Sequence, residues 1–234
     1  MKEMITILMI MTSHDQMINT DEKTGLWLSE FTEPYYEFVD AGYEVTFATP
    51  KGGEPPVDPK SLTPEALTKT DERFRGDKTA MDKFKNTVVL ESINVNDFDA
   101  VFYPGGHGPI WDLSQDAHSG KIIVDALSKD KPVAAVCHGP AALIKAAELN
   151  PDILKSKKIT GFSTLEEKLA QRENNVPYDL ETKLKELGAD YQKADKPFVP
   201  YVQQDGMLIT GQNPASAKHA AQKLIEVLSA KKVK

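Results

Sequence analysis

KPVAAVCHGP, residues 131–140, is the stretch on which the fold turns. Val133, Ala134, Ala135 and Val136 form a short apolar run that stops at Cys137, the only cysteine in the chain, and His138, Gly139 and Pro140 follow directly. A brief apolar run bounded by turn residues reads as a strand buried on both faces, and such strands belong to parallel sheets covered by helices. The next residues, AALIKAAEL (141–149), are strong helix formers, with Pro140 suited to a first turn. Cys137 is therefore expected between a buried strand and a helix, where open α/β sheets gather ligands and a helix N-terminus favours a thiolate. By count alone a lone cysteine reads as a small buried hydrophobe; its position and its histidine neighbour make it a candidate nucleophile.

The flanking sequence supports the same architecture. MITILMIMT (4–12) reads as a first central strand, Gly42 closes a helix carrying Phe31, Tyr35, Phe38 and Val39, and YEVTFATP (43–50) alternates into a second strand. This is the opening β-α-β of a doubly wound sheet. TVVLESI (87–93) is expected as a strand piece, and DAVFYPGGHGP (99–109) as a buried strand that breaks at Gly105, Gly106 and Gly108. Glycines there let the backbone approach a ligand and present N–H groups to developing negative charge; the spacing matches no dinucleotide or phosphate fingerprint. KIIVDALSKD (121–130) reads as an amphipathic helix, and KKITGFST (157–164) as a short strand with Glu166 and Glu167 past its end. LEEKLAQREN and YDLETKLKELGA read as surface helices. FVPYVQQ, Asp205-Gly206 and MLITG give a hairpin, and a last helix opens at Asn213-Pro214 and carries Leu224, Val227 and Leu228.

Two stretches depart from this rhythm. In GLWLSEFTEP (25–34), Pro34 is expected in a helix's first turn with Ser29 or Thr32 as cap, which sets Glu30 among Trp27, Leu28 and Phe31. Burial there would raise its pKa and let it exchange a proton near neutrality; the plainer reading is an acid favoured by the helix dipole. Residues 50–87 hold Pro50, Pro55, Pro56, Pro59 and Pro64, many charges and little periodicity, as expected of a lid or small subdomain inserted in one α/β domain spanning 1–234.

Composition narrows the class. A chain of 234 residues buries enough surface to need no metal or disulfide for stability. Its formal charge of −7 argues against general affinity for nucleic acid or anionic membrane. The apolar run at 4–11 is too short to cross a bilayer and lacks signal-peptide flanks, so a soluble cytoplasmic protein is expected.

VCHGP (136–140), PGGHG (104–108), KTGLWLSE (23–30), ITGFS (159–163) and TGQNPASA (210–217) together resemble the class I glutamine amidotransferase-like superfamily. The branch is that of glutathione-independent glyoxalases (glyoxalase III) and heat-inducible holding chaperones. The resemblance implies a flavodoxin-like three-layer sandwich and a homodimer. It implies Cys137 as nucleophile, His138 as its imidazole partner and Glu167, in preference to Glu166, as the acid orienting that imidazole. Glu30 would contact the sulfur and handle the proton. The backbone N–H groups of Gly106 and His138 would form the oxyanion site beside Gly105, with His107 and His14 as pocket residues or plain loop histidines. The implied reaction converts methylglyoxal, a small 2-oxoaldehyde, to lactate without metal, nucleotide or glutathione. The superfamily also hosts cysteine peptidases, deglycases and stress chaperones that sense oxidation and hold unfolded clients, and these stand as the competing expectations.

Overall fold

The computed structural model describes residues 4–232. Nine strands and eight α-helices follow in chain order among the described residues: β1 (Thr6–Ile10), α1 (Leu28–Asp40), β2 (Glu44–Thr49), α2 (Lys69–Gly76), α3 (Lys78–Lys85), β3 (Val88–Val89) and β4 (Ala100–Tyr103). They continue with α4 (Ala117–Ser128), β5 (Val133–Val136), α5 (Ala142–Leu149), β6 (Lys158–Ile159), α6 (Thr164–Leu169), α7 (Leu180–Glu186), β7 (Asp190–Tyr191), β8 (Val202–Asp205), β9 (Leu208–Gly211) and α8 (Ala217–Lys232).

Seven strands form the central sheet in the order β3-β2-β1-β4-β5-β9-β8, parallel except for β8, which pairs antiparallel with β9 through the expected Asp205-Gly206 hairpin. Side chains alternate across β1: Ile7 and Met9 join the core under α1 and α8, whereas Leu8 and Ile10 join the core under α4 and α5. Both faces are therefore covered, and the fold is a flavodoxin-like α/β sandwich, as expected. The chain steps from β1 outward to β2 and β3, then returns to β4 on the other side of β1. That reversal makes the carboxyl ends of β1 and β4 the crevice in which such sheets hold ligands.

Four local expectations are corrected. Of TVVLESI only Val88 and Val89 pair with the sheet; Leu90–Ser92 turns as a 3₁₀ helix, which lets Leu90 point into the core. The strand in KKITGFST is two residues long and pairs with β7 in a separate two-stranded sheet, not with the central one. LEEKLAQREN lies at the surface but is helical only to Leu169, and its inward face is polar: Glu166, Glu167 and Arg172 are buried and hydrogen-bonded, while Leu165 and Leu169 are exposed. Finally, α1 begins at Leu28, behind Trp27, without a side-chain cap, so Pro34 lies inside the helix. Proline there deprives the Glu30 carbonyl of its helical partner, and the buried face carrying Phe31, Tyr35 and Phe38 outweighs that loss.

The 50–87 segment is fastened to α1. Phe31 meets Phe47, Phe74 and Phe84 at centroid distances of 5.0, 5.3 and 5.1 Å, joining β2, α2 and α3 in one aromatic cluster. Thr68 and Asp71 close a capping box on α2, and Thr32 donates to Asp71 at 2.6 Å. Phe31→Ala should cost about 3–5 kcal/mol in chemical denaturation and expose α2 and α3 to limited proteolysis before the rest of the chain.

Candidate active site

Cys137 leaves β5 in a left-handed conformation, φ 60°, which an L-residue adopts at a cost of about 1–3 kcal/mol. Neighbouring backbone holds it there. Its N–H donates to the Gly211 carbonyl, and its carbonyl accepts from Phe162 N–H, both at 2.9 Å. Gly139 follows because a Cβ at that position would lie 2.5 Å from the Tyr103 carbonyl oxygen. The sulfur is thereby turned out of the sheet toward the loop after β4 and the start of α1.

From α1 comes Glu30, fully buried. Its Oε1 accepts the Gly105 N–H at 3.0 Å, while Oε2 has no nitrogen or oxygen donor, and the carboxyl lies against the Cys137 thiol. Burial pushes this carboxyl well above the usual range, and its contacts with Cys137 and Gly105 offset only part of that. The Cys137 thiol is also pushed up, by burial first and then by the charges of Glu30 and Glu166, against a favourable N–H from Gly106. This corrects the expectation of a ready thiolate. Two anions in contact in a dry site are mutually unfavourable, so the pair retains a proton.

His138 lies beside the sulfur, its Nδ1 at 3.5 Å from Sγ and its Nε2 at 2.6 Å from Glu167 Oε2. Glu167 also faces His107, whose Nε2 lies 2.5 Å from Oε1. The carboxylate therefore accepts from two imidazoles whose centroids are 3.9 Å apart and whose planes are tilted by 35°. Burial opposes ionisation of Glu167, but His138 and His107 overcome it and hold the carboxyl well below its ordinary value. On its far side, His107 Nδ1 faces the Arg172 guanidinium at 3.1 Å, so Nδ1 is the acceptor and Nε2 carries the proton. Burial and then the neighbouring His138 push His107 down to about 4, which keeps it neutral.

Glu166 faces elsewhere. It accepts from Ser163, Gln212, Asn213 and the Phe198 backbone, tying together α6, the end of β9 and the loop before β8. The geometry thus separates the two adjacent acids: Glu167 serves the histidines, and Glu166 clasps loops. His14 stacks on Trp111 at 4.6 Å and bonds the Gln16 carbonyl, away from the residues lining the site.

Sequence reasoning missed Arg172, Asp58, Lys60, Phe162 and Phe198. Arg172 Nη1 meets Asp58 Oδ2 at 2.5 Å and Nη2 meets Glu22 Oε1 at 2.9 Å, so the 50–87 segment reaches the site through Asp58. No motif links positions separated by more than a hundred residues. One signal was available: Arg172 is one of three arginines in a lysine-rich chain, and a planar five-donor group suits a buried junction where lysine does not. A cavity of 260 Å³ opens over Cys137 between Trp27, Phe162, Phe198 and Pro214. Among the described residues, one group could share a metal ion: His107, His138 and Glu167. Their facing atoms are already spent on one another at 2.5–2.6 Å, which is the geometry of a hydrogen-bonded relay.

The DJ-1/PfpI family profile matches residues 23–227. Among curated proteins, Glyoxalase 3 of Candida albicans is 29% identical over 232 residues, covering 95% of this chain and 98% of its own. A glutathione-independent glyoxalase of Schizosaccharomyces pombe is 31% identical over 216 residues, covering 87% of each. Among solved structures, the Rapid Encystment Protein 24 kDa of Francisella tularensis superposes with a TM-score of 0.91 at 38% identity, covering 96% of this chain and 99% of the other. Glyoxalase III of Candida albicans superposes at 0.85 with 27% identity, covering 95% and 97%.

The buried Glu30 carboxyl gives a pH test. Because its folded pKa lies above its ordinary value of 4.5, the fold favours the protonated form, and stability falls as pH rises from that value through the raised one. Glu30→Gln removes this loss, so the melting temperature of the variant relative to wild type should increase between pH 5 and pH 8. A difference independent of pH would contradict the assignment.

Proposed function

Since the chain belongs to the DJ-1/PfpI family, we propose that it is a glutathione-independent glyoxalase, acting on a 2-oxoaldehyde such as methylglyoxal and releasing the 2-hydroxy acid. The observation that carries this reading is the contact of a buried, high-pKa carboxyl, Glu30, with the Cys137 sulfur, on the opposite duty from the ionised Glu167. Hydrolysis of a peptide needs a base and an oxyanion site; isomerising a 2-oxoaldehyde also needs a group that accepts a proton from one carbon and returns it to the next. The relatives named Glyoxalase 3 and glutathione-independent glyoxalase support an enzymatic role.

The steps balance without an outside oxidant. His138 Nδ1 takes the thiol proton as Cys137 Sγ bonds to the aldehyde carbon, and Glu167 steadies the resulting imidazolium through Nε2. Gly106 N–H, which already points at the sulfur, and His138 N–H stabilise the alkoxide. Glu30 gives its proton to that alkoxide and, now a carboxylate, removes the hydrogen on the aldehyde carbon as a proton while the His138 imidazolium protonates the ketone oxygen, giving an enediol. Glu30 then returns the proton to the adjacent carbon and takes up the hydroxyl proton of the first. The first carbon is thereby oxidised to a thioester and the second reduced to an alcohol. Water cleaves the thioester, releasing lactate and restoring the thiol. Besides the aldehyde, the cycle consumes water alone, which makes it a lyase-type conversion run in the direction of hydration. Cytoplasmic residence and a homodimer belong to the same proposal. Among the described residues no helix is long and apolar enough to cross a membrane.

Gly105 has a specific part. A Cβ there would lie 2.7 Å from Glu30 Oε1 and 2.9 Å from the His138 backbone nitrogen, so Gly105→Ala should displace the proton carrier and lower kcat more than it alters KM. The central test measures methylglyoxal loss and lactate formation without glutathione. Cys137→Ala and Glu30→Gln should each fall by at least about 100-fold. Full methylglyoxal consumption by Cys137→Ala would overturn the reading; loss of turnover with retained protection of unfolded clients would assign a separate holding activity.

A further inference from the structure

Phe198 is held in a way the chemistry of Cys137 does not require. It has φ 56°, in the left-handed region that disfavours a bulky L-residue, and 45% of its surface is exposed. The Glu166 carboxylate fixes it there, accepting the Phe198 N–H at 2.8 Å and the Asn213 side-chain amide at 2.8 Å; that amide also donates to the next residue's carbonyl, Val199 O, at 2.8 Å. A strained, exposed aromatic residue clamped by a buried acid is costly for the fold alone. Its ring lines the cavity over Cys137 and lies 6.0 Å from Phe162, whose ring is 4.4 Å from His138. The aromatic surface therefore runs from the relay histidine to the mouth of the cavity.

The cavity has more room than methylglyoxal uses. A single water needs only about 10–15 Å³ of such space, so 260 Å³ accommodates a substituent much larger than methyl. Its charges are already matched: Lys60 pairs with Glu22 at 2.6 Å, and Arg172 with Asp58 and Glu22. His107 is neutral, with both ring nitrogens engaged. An anionic substrate would find no free countercharge here, whereas a neutral apolar group would find rings.

We propose that Phe198 is a specificity-determining residue that selects neutral 2-oxoaldehydes with an aryl or similarly bulky apolar substituent over methylglyoxal. This rests on the glyoxalase reading and names its preferred substrate class. The substituent lies between Phe198, Phe162 and Trp27 while the aldehyde carbon meets Cys137. The same addition, proton transfer and hydrolysis convert phenylglyoxal and water to mandelate.

The test compares initial rates with phenylglyoxal and methylglyoxal for wild type and for Phe198→Gly. Glycine suits the positive φ, so this variant removes the ring and relieves the backbone. Wild type should favour phenylglyoxal by about tenfold in kcat/KM. Phe198→Gly should lose most of that preference, with KM for phenylglyoxal rising several-fold more than KM for methylglyoxal. An equal preference in wild type, an unchanged ratio in the variant, or equal losses on both aldehydes would overturn the role of Phe198 and leave the glyoxalase reading standing. A wild type that consumes neither aldehyde would overturn both.

Discussion

The left-handed turn at Cys137 is the constraint from which the site is built. A strand that continued straight would bury the sulfur in the sheet; the turn at φ 60° presents it at the end of β5 instead. Such a conformation persists only when its surroundings over-determine it. Here the determinants come from separate parts of the chain: Gly211 accepts its N–H, Phe162 donates to its carbonyl, and Gly139 leaves space against Tyr103. The glycines after β4 answer the same geometry, since Gly105 packs against Val136 O and His138 N, and Gly106, at φ 89°, packs against the Gly25–Trp27 backbone. Packing energy spread over the two cores is thus concentrated in one strained residue.

Around that turn, two carboxyls are driven in opposite directions by their neighbours. Glu30 faces an apolar wall, one backbone N–H and a thiol, so desolvation holds its carboxyl well above the ordinary range. Glu167 is just as enclosed but accepts from two imidazoles and stays ionised. Separated pKa values in one cavity allow one acid to move protons while the other holds a base in orientation. Arg172 extends this order outward by fixing the tautomer of His107 and drawing Asp58 from the 50–87 segment into the network. That segment is therefore joined to the site by an ion pair as well as to α1 by aromatic packing.

The same organisation explains the duties of neighbouring residues. Glu166 and Glu167 are consecutive on a short helix, so their side chains leave it in different directions. One reaches the histidines, and the other gathers the Phe198 and Asn213 loops. A helix of six residues has little stability of its own. The capping box of Ser163 and Glu166, together with the buried hydrogen bonds of both acids, supplies its anchoring.

Much of this was legible in the chain itself. Apolar runs ending in glycine, proline or the single cysteine fixed the buried parallel strands, because a strand enclosed on both faces must be apolar at every position. The cysteine, its histidine and the glycines after β4 are local in sequence, and so were readable as a site. The start of α1 was not, because the packing of Phe31, Tyr35 and Phe38 overrode the local preference of Pro34. Nor was the state of the thiol: the dipole of a following helix is a local property, whereas burial and the charge of Glu30 arise only when distant segments meet. Arg172, Asp58 and Phe198 belong to the same class. Sequence determined which segments could be strands and which residues were reactive; the tertiary structure decided their protonation and partners, because desolvation and Coulomb interactions depend on neighbours in space.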